Sequence, residues 1–191
     1  MNKIEKIIHS SIEVKYQLLN DKNTSKHIKL IVDVCVEALK SGGSIYWCGN
    51  GGSAADAQHL SAELSGRFYY DRDPLSSEAL HCNTSYLTAV ANDYSYNLIY
   101  SRLIKGIGRK GDVIIGLSTS GKSKNIINAF NVCKEMGITT IGLCGEDGDD
   151  FRDLCGLLFK VPSNDTPRIQ ECHILIGHII CQLIEEEMYP I

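Results

Sequence analysis

Residues 47–66 read WCGNGGSAADAQHLSAELSG, and they decide the fold because they join a buried strand, a glycine turn and a helix that carries both an imidazole and a carboxylate. Ser44 to Cys48 reads as a short apolar strand. Gly49, Gly51 and Gly52 then supply a turn in which backbone amides can approach a ligand without a Cβ in the way. The helix begins at once, with Ser53 expected as its N-cap. Asp56 completes something close to a capping box, and Gly66 is expected in the left-handed position past the C-terminus. His59 and Glu63 are four residues apart, one turn from each other on one face. Such a pair could hold a metal or move protons. It is also a common solvated surface pair, but Ala54, Ala55, Ala57, Leu60, Ala62 and Leu64 make this helix small and apolar, so it should be packed.

The chain has 191 residues and no Pro- or Ser-rich linker, so residues 1–191 are expected to form one domain. A formal net charge of -4 without a basic run argues against a nucleic-acid surface and favours small anionic or neutral ligands. The eight cysteines are scattered, several lie in apolar strand or helix patterns, and none forms a Cys-x-x-Cys pair. They read as reduced, buried thiols of a cytoplasmic protein, not as a disulfide framework or a thiolate zinc site. The N-terminus, MNKIEKIIHSSIEVKY, alternates charges with isoleucines, and the apolar run near the C-terminus is broken by His178 and Gln182. Neither export nor membrane insertion is expected.

Ahead of the first strand, residues 2 to about 20 place Ile4, Ile7, Ile8, Ser11, Val14 and Leu18 on one helical stripe. The stripe either packs on a neighbouring subunit or covers its own core. A second helix runs from about Ser25, capped by Thr24 or Ser25, to Gly42 and Gly43. Residues 1–41 therefore read as a helical extension. Beyond residue 66, the pattern predicts a weak strand near Ala79 to Cys82, a helix around Ser85 to Ala91 closed by Asn92 and Asp93, and a helix from Tyr96 to Ile104. It continues with strand Val113 to Leu117, helix Lys124 to Met136, strand Ile138 to Leu143, strand Leu157 to Val161, and a long helix from about Arg168 to Met188. Strands alternating with helices predict an α/β fold: a doubly wound parallel sheet of about five strands with helices on both faces. Ligands in such sheets bind beyond the carboxyl ends of the strands, where the polar loops Asn50 to Gly52 and Ser118 to Ser123 fall.

Gly116 to Ser123, GLSTSGKS, formally matches the Walker A pattern. A nucleotide-hydrolysing domain should also have an apolar strand ending in a magnesium-binding Asp, but Ile138 to Leu143 runs into Cys144 and Leu157 to Val161 into Pro162. Gly116 also looks like strand interior, which leaves the loop too short to wrap a triphosphate. The segment is read instead as a phosphate loop for a simpler ester, built from hydroxyls and amides at a helix N-terminus.

Four blocks together, CGNGGSAADAQHLSAELSGR (48–67), AND (91–93), GDVIIGLSTSGKS (111–123) and RIQECHILIGH (168–178), resemble the sugar isomerase (SIS) domain family and, within it, the bacterial phosphoheptose isomerases. The resemblance covers nearly the whole chain. It implies conversion of D-sedoheptulose 7-phosphate to D-glycero-D-manno-heptose 7-phosphate, the first step towards activated heptose for lipopolysaccharide or capsule. It further implies a cytoplasmic homo-oligomer, commonly a tetramer, with one zinc ion per subunit.

Carried over residue by residue, the resemblance implies His59, Glu63, Gln170 and His178 as zinc ligands, with Glu63 and His178 also the catalytic base and acid. It places the phosphate on Ser118, Thr119, Ser120 and Ser123, and has Asn50, Gly51, Gly52, Asn92 and Asp93, with Glu63 and Gln170, against the sugar. Two departures stand out: Pro167 precedes Arg168 where some relatives have Asp, and Lys122 lies in a loop position that varies. Gln170 and His178 are eight residues apart, roughly 12 Å along a helix. One metal reaches both only if the side chains lean together or different subunits contribute, and the expectation is a site completed between subunits. His173, one turn from Gln170, is a reserve ligand or simply a helix-face histidine. The competing reading is a non-catalytic SIS module that binds a sugar phosphate or a replication-initiator protein; loss of the acid and base residues would mark it, and they are present.

Overall fold

The computed structural model describes all residues from Met1 to Ile191. Five parallel strands form its sheet: β1 (Ile45–Gly49), β2 (Ser77–Ala79), β3 (Val113–Ser118), β4 (Thr139–Cys144) and β5 (Leu157–Lys160), in the order β2-β1-β3-β4-β5. In register, Trp47 lies between Ala79 and Ile115, and Ile115 faces Ile141. Every residue of β1 and β3 is buried, as expected for strands covered on both faces. The strand order reverses between β1 and β3, so the loops leaving these neighbours flank the switch point of the sheet.

Seven helices cover the sheet: α1 (Lys3–Asn20), α2 (Thr24–Lys40), α3 (Gly52–Ser65), α4 (Thr84–Asp93), α5 (Ile99–Ile107), α6 (Lys124–Met136) and α7 (Thr166–Met188). Alternation along β1 sends Ile45 and Trp47 to one face and Tyr46 and Cys48 to the other. The first face packs on α1, α2, α3 and α7 through residues such as Leu18, Ile31, Leu60 and Ile176; the second packs on α4, α5 and α6 through Val90, Tyr100 and Phe130. Each such buried aliphatic or aromatic side chain contributes about 1.5–3 kcal/mol. No helix is long and apolar enough to cross a membrane.

Several local expectations are corrected. Ser53 does not cap α3: the helix starts at Gly52, its N-cap is Gly51 at φ 55, and no side chain caps it. The turn out of β1 is too tight for a preceding hydroxyl, since a Cβ on Gly49 would overlap the Ser53 carbonyl. Asp56 therefore closes no capping box, and its Oδ2 is buried without a partner. Gly66 ends the helix at φ -94, outside the left-handed region. α2 begins at Thr24 behind Asn23, again without a side-chain cap. β2 lies at Ser77–Ala79, earlier than expected, because Ala79 pairs with Trp47 there and the chain turns at Leu80. The helix expected from Tyr96 to Ile104 divides into a 3-10 turn over Tyr96–Leu98 and α5, which continues through Gly106 to Ile107. On α1 only Val14 and Leu18 of the stripe are buried, while Ile4, Ile7 and Ile8 are 69%, 49% and 55% exposed.

Candidate active site

The close approach of α3 and α7 builds the centre of the site. Gly177 of α7 lies against Leu60 of α3, and a Cβ at that glycine would overlap the leucine methyl groups. The Cys181 thiol reaches the Leu60 carbonyl one turn further on. A helix pair this close carries His178, next to Gly177, onto the face of α3 that bears His59 and Glu63. His59 Nε2 lies 2.9 Å from His178 Nε2 and 3.0 Å from Glu63 Oε1, and one ligand atom from each of the three residues lies within 4.8 Å of the others. One chain thus brings His59, Glu63 and His178 together without a residue from a second subunit. Their helices run side by side, and no subunit boundary has to be crossed.

The proton inventory of this cluster is short. Glu63 as a carboxylate only accepts, and a neutral imidazole has one N–H. If His59 Nε2–H donates to Glu63 it cannot also accept from His178, and if it accepts from His178 it has nothing to donate. Burial, first, and the neighbouring His59, second, push His178 below the usual histidine range, partly offset by Glu63. His178 therefore holds a free lone pair near neutrality. Two imidazoles and a carboxylate with more acceptors than protons are the donor set that zinc takes. Tetrahedral bonds of 2.0–2.1 Å need ligand atoms roughly 3.3 Å apart, against 2.9 and 3.0 Å for the two spacings at His59.

Gln170 sits elsewhere. Its carboxamide lies over Gly52, where a Cβ would come within 2.7 Å of Nε2. That is about two turns before His59 on α3 and before His178 on α7, and no hydrogen bond joins it to the three. The reserve ligand His173 is fully buried and faces the sheet, its ring close enough to the Cys144 backbone to favour the protonated form slightly, yet with neither nitrogen in a good hydrogen bond. It is a core histidine and lies outside the cluster.

At the end of β3, the Ser118 and Ser123 hydroxyls are 2.8 Å apart, and Ser120 Oγ accepts from the Lys122 amide at 3.2 Å. Gly121 takes φ 67 and lies against Gly148, where a Cβ would overlap backbone. Ser123 is the N-cap of α6 without a side-chain bond to the helix, so the first amides of α6 and the hydroxyls of Ser118, Thr119, Ser120 and Ser123 suit an oxyanion. Lys122 is exposed. Gly116 is inside β3, where a Cβ would overlap Phe130 and Ile126. It is a packing glycine, which confirms that the Walker-like loop is short. Asn50, Gly51 and Gly52 form the neighbouring turn after β1. Asn92 and Asp93 close α4, exposed and bonded to each other at 2.9 Å, with no bond to the His59 cluster.

The sequence reading missed Phe68, Arg72 and Glu185. Phe68 stacks on the His178 ring, centroids 5.6 Å apart and planes at 24°. Its segment is held by Glu185, which accepts from the amides of Phe68 and Tyr69 at 3.0 and 2.8 Å and from Arg72 Nε at 3.0 Å. Arg72 also donates to the carbonyls of Glu63, Leu64, Gly66 and Asp73. Both side chains of the pair are nearly inaccessible. No sequence signal could have found this: Glu185 opens a Glu-Glu-Glu run that reads as a solvated helix end.

The SIS domain model matches residues 12–145, so α7 and His178 lie beyond the matched span. The chain is 50% identical over 188 residues to the phosphoheptose isomerase of Clostridium acetobutylicum, covering 98% of this chain and 96% of that one. It superposes on the structure of phosphoheptose isomerase from Neisseria gonorrhoeae with a TM-score of 0.89 at 36% identity, covering 96% and 97% of the two chains. With that from Francisella tularensis the TM-score is 0.91 at 31% identity, covering 97% and 100%.

Proposed function

Because this chain belongs to the SIS domain family and, within it, to the phosphoheptose isomerases, we propose that it converts D-sedoheptulose 7-phosphate to D-glycero-D-manno-heptose 7-phosphate, for lipopolysaccharide or capsule, in the cytoplasm. The observation that carries this reading is the meeting of His59, Glu63 and His178 in a chain whose β3 loop also groups the Ser118 and Ser123 hydroxyls.

Moving a carbonyl from C2 to C1 needs a base for the C1 proton and an acid for the C2 oxygen. Glu63, in contact with His59 and one-fifth exposed, takes the C1 proton. His178 gives a proton to the C2 oxygen to complete the enediol, and the reverse transfers, from O1 and to C2, yield the aldose. Phe68 against the His178 ring limits water access on that side. Ser118, Thr119, Ser120 and Ser123 with the α6 amides hold the phosphate, while Asn50, Gly51, Gly52, Asn92, Asp93 and Gln170 line the sugar. His59, Glu63 and His178 would hold a zinc ion. Bound there, zinc would supply positive charge to the developing enediolate.

Residues 1–191 act as one SIS unit in this reading, and the exposed isoleucines of residues 1–41 form contacts in a homotetramer. Incubation of the purified protein with sedoheptulose 7-phosphate and zinc, followed by NMR, tests the reaction: an aldose signal is expected, and no turnover rejects it.

A further inference from the structure

Asn50, the first residue beyond β1, has its amide orientation settled by two residues outside the set just assigned. Its Oδ1 accepts from Asn125 Nδ2 at 2.8 Å and from the Tyr96 hydroxyl at 2.9 Å, and its Nδ2 donates to Asn125 Oδ1 at 3.0 Å. Asn125 cannot turn over without loss, because its Oδ1 also accepts the backbone N–H of Ile126 at 3.0 Å and the residue is buried. A carboxamide oxygen has two lone pairs and its nitrogen two protons. Both lone pairs of Asn50 are therefore taken, and one N–H is left without a protein partner.

We propose that Asn125 and Tyr96 are positioning residues that make Asn50 a hydrogen-bond donor only, directed at a substrate oxygen that accepts. The class includes a phosphoryl oxygen and the carbonyl oxygen that gains charge in the enediolate. A sugar hydroxyl can donate as well as accept, and a free asparagine would flip to meet either; the clamp leaves Asn50 only the donating role. Asn125 is the second residue of α6, so the same bonds tie the glycine turn after β1 to the phosphate loop after β3. The assignment rests on the isomerase reading above.

Initial rates with sedoheptulose 7-phosphate test it. Asn50→Ala is expected to lower kcat/KM about 10-fold or more, and Asn50→Asp, which keeps acceptors but loses the donor, to do no better. A loss in KM places the N–H on a ground-state oxygen such as phosphoryl, and a loss in kcat on the oxygen that gains charge. Asn125→Ala and Tyr96→Phe are expected to cost about 10-fold and about threefold alone, yet under about twofold when added to Asn50→Ala, because they act through it. A purely structural role would cost the same in both backgrounds. Equal costs in the two backgrounds, or an Asn50→Asp enzyme near the activity of the unsubstituted protein, overturn the assignment alone. An unsubstituted protein without turnover removes the isomerase reading and this assignment with it.

Discussion

His59 Nε2 and His178 Nε2 lie 2.9 Å apart although 119 residues separate them along the chain. Glu63 is on the same face, so a single subunit carries both the base and the acid of the proposed reaction. Mixing Glu63→Gln and His178→Ala proteins under conditions of subunit exchange should therefore restore no activity beyond either parent. Each substitution alone should lower kcat by about 10²–10⁴. Recovery in the mixture, measured by steady-state rates, would show that the two groups meet across subunits.

Gly177 permits the helix approach that makes this contact. Gly177→Ala raises helix propensity by about 1 kcal/mol but forces a methyl into Leu60, at a cost of about 1–3 kcal/mol. The expected net result is a lower thermal midpoint with weaker zinc binding by calorimetry, since α7 must shift and take His178 with it. An alanine variant that is more stable and binds zinc normally would mean that the helices have room to spare.

The serine loop should carry the phosphate without help from Lys122, which is exposed. Lys122→Ala is expected to leave KM within about threefold, whereas Ser123→Ala, by removing the partner of Ser118 and a phosphate donor, should raise it about 10-fold. Lysine-dependent ATP hydrolysis would instead support the nucleotide reading of the same loop.

Breaking the Arg72 and Glu185 pair leaves a buried charge and two backbone amides unpaired. Glu185→Leu should cost about 3–5 kcal/mol, a fall on the order of 10 °C in thermal midpoint for a chain of this size. Scanning calorimetry reads it directly, and a change under about 2 °C would show that the latch contributes little.

Burial pushes His173 down to about 4, against 6.5 for a free histidine. The unfolded chain therefore takes up this proton first as pH falls, and stability present above about pH 6.5 is lost progressively towards pH 4, by on the order of 3 kcal/mol. Denaturant unfolding at pH 7.5 and pH 5 should show this loss, and His173→Phe should flatten it. An unchanged slope in the variant would assign acid sensitivity to other groups.

Local signals carried a long way in this chain. Apolar runs bounded by glycine placed β1, β3 and β4 to within a residue or two, and the four motif blocks identified the family, because backbone propensity and loop chemistry are encoded over a few neighbouring positions. His59 and Glu63 were legible as a pair since one helical turn separates them. The caps of α3 were misread, because the choice between Gly51 and Ser53 depends on how tightly the turn folds back on Gly49, which is a contact and not a propensity. His178 could be attached to the pair by resemblance, but its place in the same subunit came from Gly177 against Leu60. Phe68, Arg72 and Glu185 could not be found at all. A charge in a polar run looks solvated until the burial that gives it a partner exists, and burial is a property of packed elements far apart in sequence. The sequence alone therefore determined the strand and helix order, the phosphate-suited loops and the chemical types at the site. Tertiary structure decided which of those groups meet, because helix approach, amide orientation and desolvation arise only when non-local surfaces are brought together.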